Sequence, residues 1–120
     1  MNIKNIHNLA FFTAGDETHL TEVLHPKNGD QNLPYSLAFA LLKPGTASLP
    51  HKLTKSEETY IILRGTGEMQ VEGQSHPVKS GSVFIVPRNT LQSLANTGKD
   101  DLQFYCIVSP PWSEDEEEVL

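Results

Sequence analysis

The sequence predicts an all-β domain built as an antiparallel sandwich or barrel. Short runs rich in β-branched and aromatic residues recur along it, separated by Gly, Pro and Asn. No window keeps apolar residues at i, i+3, i+4 and i+7, so the helical period is missing. The length of 120 residues suits one domain, since domains usually hold roughly 100–200 residues.

The first 34 residues read as an N-terminal arm with one early strand at 20–24. A barrel core is expected over 35–112. It opens with a strong strand at 35–42, ended by Pro44-Gly45. Strands follow at 48–53 and 59–63. Gly65-Thr66-Gly67 reads as a hairpin turn into a strand at 68–71. Gly73-Gln74 turns the chain again, and Gln74 to Pro77 reads as turn. The apolar strand 82–86 ends at Pro87-Arg88-Asn89. Strands at 91–95 and 102–108 complete about eight. Several runs, such as Ile61-Ile62-Leu63 and Phe84-Ile85-Val86, are apolar on both faces. Such strands need cover on both sides, so a second subunit or the N-terminal arm should pack outside the barrel.

Residues 113–120 form an acidic tail. Glu114 to Glu118 is a run of five acids, and it carries most of the net charge of −6. Like-charge runs are usually solvated; the alternative is a docking segment for a basic partner. Trp112, after Pro110-Pro111, reads as an anchor packing onto the body. The acidic balance leaves no basic footprint for nucleic acid and disfavours an anionic membrane surface. The longest apolar stretch, Leu37 to Leu42, falls far short of the roughly 20 residues of a membrane helix. With no signal-peptide pattern near Lys4, the expected location is the cytoplasm. Cys106 is the single cysteine. It excludes an internal disulfide and a thiolate zinc site, and its alternation with Phe104 and Val108 places it in the core.

Two stretches carry chemistry. In the first, Gly45, His51, Glu58 and Gly65 stand at fixed intervals; in the second, Gly81, Pro87 and Asn96 do. Residues two apart on a strand share a face, so His51 and Leu53 project together, as do Glu58 and Tyr60. These stretches resemble the two motifs of the cupin superfamily, in its small conserved-barrel form. The resemblance implies a single-domain cupin jelly-roll barrel. It also implies a divalent metal held by two His and a Glu of the first motif and a His of the second.

Half of that ligand set is missing. His51 and Glu58 match, but Leu53 and Gln92 stand where His residues belong. Leu53 donates nothing, and Gln92 offers only a neutral amide oxygen, a weak ligand for a transition metal. Asn89 replaces a turn Gly, which Asn tolerates in left-handed backbone. A degenerate site is therefore expected, with no tightly bound cofactor and at most a weak divalent metal on His51, Glu58 and Gln92. His7, His19, His25 and His76 all read as surface or capping residues; His25, just after the early strand, is the nearest of them to an exception, being near the barrel mouth.

A metal-free use of the cavity is also open. His51, Glu58 and Tyr60 could act as acid and base groups, or His51 and Glu58 could be a structural pair kept from a lost site. Leu53, Gln92 and Arg64 are expected to contact the ligand, Arg64 from near the rim. The expected function is binding of a small molecule in the barrel by a homodimer, with catalysis undecided. The alternatives are a dioxygenase- or isomerase-like metal enzyme with an unforeseen ligand, and a non-catalytic structural or sensor dimer. Fold alone names no substrate.

Overall fold

The computed structural model describes residues 1–120. Eleven strands follow in chain order: β1 Phe12–Thr13, β2 His19–Leu24, β3 Ser36–Leu42, β4 His51–Leu53, β5 Glu57–Arg64, β6 Thr66–Val71, β7 Gln74–Lys79, β8 Val83–Val86, β9 Gln92–Asn96, β10 Leu102–Ser109 and β11 Glu117–Val119. The helical content is three short 3-10 turns. All pairings are antiparallel. One sheet runs β1-β2-β3-β10-β5-β8 and the other β11-β4-β9-β6-β7, which is a jelly-roll sandwich.

The core sits between the sheets. From the first sheet come Ala40, Leu42, Tyr60, Ile62, Leu102, Phe104 and Cys106; Met69 and Leu94 face them from the second. Burial alternates strictly along β10, from Leu102 through Phe104 and Cys106 to Val108, the period-two pattern of a half-covered strand.

Three expectations need correction. Gly65 to Gly67 is no hairpin: β5 pairs with β10 and β8, β6 pairs with β7 and β9, and the chain crosses between sheets at Gly65. Gly65 has φ +95°, and a Cβ there would lie 2.9 Å from the Asp101 carbonyl oxygen. Glycine is needed for the crossing itself. Residues 74–79, read in part as turn, form β7. Its side chains are almost all exposed, so the strand lacks the apolar alternation that would reveal it. The acidic run is not a free solvated tail either. Glu114–Glu116 makes a 3-10 turn, Glu116 is 2% exposed, and Glu117–Val119 pairs with β4.

The left-handed backbone expected at Asn89 is present, at φ +59°. The outer face of the large sheet is covered in part. Phe11 of the N-terminal arm packs edge-on to Phe39, which leans on Tyr105. Lys4 ties the arm down, donating to the Val23 carbonyl and pairing with Asp30 at 2.6 Å. Over β5 and β8 no such cover exists, and Leu63, Val83 and Ile85 are exposed.

Candidate functional site

A cavity of about 190 Å³ opens between the sheets. Strand parity places its walls. His51 and Leu53 on β4, and Glu58 and Tyr60 on β5, all point inward and are buried. Apolar side chains from β2, β3, β9 and β10 surround them, among them Leu20, Ala40, Leu94, Phe104 and Val108. None of the lining residues is Lys or Arg, whereas Asp16, Glu22, Glu58 and Glu117 all line it.

Glu58 is held in a closed network. Gln92 Nε2 donates to Glu58 Oε1 at 3.0 Å, and the Tyr60 hydroxyl donates to Gln92 Oε1. Gln92 is buried and completes this network without lining the cavity. Burial raises the Glu58 carboxyl above its ordinary range, against the nearby His51 and hydrogen bonds from Cys106 and Gln92, which lower it. The same desolvation, with Glu58 close by, pushes the Tyr60 phenol and the Cys106 thiol well up. Cys106 is therefore a thiol rather than a nucleophilic thiolate.

His51 faces elsewhere. Its Nδ1 lies 2.8 Å from the Leu49 carbonyl oxygen, which can only accept, so Nδ1 carries the proton and donates. Its Nε2 lies 3.4 Å from Asp16 Oδ2. No hydrogen bond or ion pair joins His51 to Glu58, so the two matched residues work in separate groupings. The Asp16 loop is pinned by its backbone: the Leu49 N–H donates to the Asp16 carbonyl at 2.6 Å, and Asp16 Oδ1 accepts from the Thr18 N–H. Glu117 sits opposite Leu53 in the β11–β4 register and so shares its inward face. Its Oε2 accepts from the Trp112 indole N–H at 3.2 Å. Desolvation raises its carboxyl, and Asp16 adds to that.

The family's four-ligand metal arrangement does not fit these residues. Leu53 is apolar, His51 is turned to Asp16, and Gln92 is spent on Glu58 and Tyr60. A different set does converge: the ligand atoms of Asp16, His51 and Glu117 lie within 4.8 Å of one another.

The other expected residues are placed as follows. Arg64 is exposed at the far end of β5, beside Lys99, Asp100 and Asp101, and does not line the cavity. His25 is buried but fully committed: Nδ1 accepts from the Lys27 N–H, leaving Nε2 to donate to the Trp112 carbonyl at 2.6 Å. His19 stacks on Phe11, and His7 and His76 are exposed. Trp112 does pack onto the body, and it lines the cavity. Sequence reading missed Asp16 and Glu117. Asp16 sits in a loop with no motif, and Glu117 was hidden within the charge run.

This two-sheet barrel with an inward His and Glu defines a small conserved-barrel protein of the jelly-roll class. A family model described as Cupin domain matches residues 38–108, and the chain belongs to that family. It is 35% identical over 109 residues to an uncharacterized protein of Methanocaldococcus jannaschii, covering 91% of this chain and 86% of that one. It is also 35% identical over 72 residues to an oxalate-binding protein of Thermotoga maritima, covering 58% and 60% of the two chains. The crystal structure of a predicted oxalate decarboxylase from Thermotoga maritima superposes with a TM-score of 0.80 at 22% identity, over 91% of this chain and 99% of that one. That last likeness bears on the fold. No helix is long and apolar enough to cross a membrane.

Proposed function

We propose that this cupin binds a small uncharged organic molecule in its barrel, with Tyr60, Glu58 and His51 supplying the polar contacts. The observation that carries the reading is the lining: largely apolar walls, a few buried polar groups and no cationic side chain. Ligand cavities commonly combine apolar walls with a few orienting polar groups. A free dicarboxylate would meet four carboxylates and no Lys or Arg, so the name of the Thermotoga oxalate-binding relative does not transfer directly. The raised Glu58 carboxyl supports a proton-donating role toward the ligand. We further propose a homodimer joined over the exposed Leu63, Val83 and Ile85 face.

Thermal shift and native mass spectrometry on chelator-treated protein test the ligand reading, with benzyl alcohol, hexanamide and oxalate as probes. The uncharged probes should raise Tm and oxalate should not. Ala38→Leu, which adds bulk to the wall, should abolish the shift. Stabilisation by oxalate alone would overturn the reading.

A further inference from the structure

We propose that Asp16, His51 and Glu117 form a divalent transition-metal site, which keeps the first motif's His51 but takes Asp16 and Glu117, outside both motifs, in place of the other family ligands. Three observations lead there. The first is composition and convergence: one imidazole and two carboxylates bring their ligand atoms within 4.8 Å of one another. Ligand bonds of about 2.0–2.2 Å, the usual range for Zn²⁺ with N and O donors, put tetrahedral ligand atoms roughly 3.4 Å apart; the His51–Asp16 pair already stands at 3.4 Å, and Glu117 must close in on them to complete the set.

The second is the state of His51. It is 3% exposed, and the Leu49 carbonyl fixes the proton on Nδ1. That leaves Nε2 with its lone pair aimed at Asp16, at 3.4 Å, and with no hydrogen bond of its own. A backbone carbonyl holding one ring N–H is the usual way of orienting a ligating imidazole.

The third is an excess of acid over base: His51, 3.4 Å from Asp16, is the one basic group beside the two carboxyls. Asp16 is 8% exposed and Glu117 is partly buried. No Lys or Arg pairs with either, although four other acids in the chain have a Lys partner. Each carboxylate is anchored through one oxygen, Asp16 Oδ1 by the Thr18 N–H and Glu117 Oε2 by Trp112. In each, the second oxygen accepts no hydrogen bond. Two desolvated carboxylates side by side are costly unless a cation sits between them. The competing account is that a doubly protonated His51 alone neutralises the pair, which predicts no metal uptake.

The test is calorimetric titration of the chelator-stripped chain with Zn²⁺, with Co²⁺ absorption as a second readout. One Zn²⁺ per chain should bind, and the His51 ring resonances of the unmutated protein should shift with it. Asp16→Asn and Glu117→Gln should each weaken binding by about tenfold or more, since even outer-shell changes cost about 10–100-fold. Circular dichroism confirms that each variant folds, and the His51 resonances report on the site without any variant. The proposal is overturned if the unmutated chain takes up no Zn²⁺. It is equally overturned if Glu58→Gln abolishes binding while Asp16→Asn and Glu117→Gln leave it intact, which would put the metal at the motif positions. The small-molecule reading is tested in chelator-treated protein, so the two can fail separately.

Discussion

Glu58 and Asp30 respond to acid in opposite directions. Asp30 is half-buried, and its carboxyl is lowered, first by the hydrogen bond from Lys4 and then by the His25 N–H. Its contribution to stability is present above its ordinary value of 3.8 and fades as the pH falls further. Glu58 is raised by burial, so the folded protein holds that proton more tightly than the unfolded chain does. Stability linked to Glu58 is therefore full below its ordinary value of 4.5 and is lost as pH rises toward the folded-state pKa. Glu58→Gln removes the titration while keeping an acceptor for Gln92. Denaturant unfolding at a series of pH values should give this variant a flatter stability profile from pH about 4.5 upward, and an unchanged slope would contradict the assignment. The inward set His51, Leu53, Glu58, Tyr60 and Gln92 was legible in the sequence because strand parity is local. Asp16 and Glu117 were not. Their positions depend on the Leu49–Asp16 backbone bond and on the β11–β4 pairing, and neither leaves a local signature.

At the scale of elements, the strands that bury an apolar face were readable. Those that escaped were β1, which has two residues, and the polar β7 and β11. The mistaken hairpin has a related cause. Closely spaced glycines mark a close backbone approach as readily as a turn. At Gly67, on β6, an added Cβ would lie 2.5 Å from the Ala95 carbonyl oxygen on the paired β9 and 2.9 Å from Leu102 Cδ2. Backbone must shift to admit it, so Gly67→Ala should destabilise by about 2–3 kcal/mol, at the upper end of overpacking costs. Equilibrium urea unfolding measures this; a loss under about 0.5 kcal/mol, the range of ordinary surface substitutions, would show that the sheets part easily there.

For the molecule as a whole, the doubly apolar strands raised the question of outer cover, and the structure answers it in part. The N-terminal arm covers Phe39, while Leu63, Val83 and Ile85 remain exposed. Apolar side chains grouped on an edge strand and its neighbour are what the proposed dimer contact would use. Light scattering at micromolar concentration should give twice the chain mass, and Val83→Glu with Ile85→Glu should halve it with little effect on the fold. A monomeric unmutated protein would contradict this. No sequence pattern distinguishes an outer face covered by the chain's own arm from one covered by a second copy, because both ask for the same apolar residues.

The pairing of β11 with β4 joins two properties that proteins usually keep apart. The three residues that finish the smaller sheet also carry Glu117 to the wall of the chamber. On the proposed metal site, docking of that strand and occupancy of the cluster beside His51 would be one linked equilibrium. A cation held by all three residues would need the docked form, and its binding would favour docking by mass action. With the proposed site occupied, the strand's attachment would follow the metal activity of the surrounding solution. The last segment of the sheet would register the ionic surroundings with no moving part beyond its own backbone hydrogen bonds.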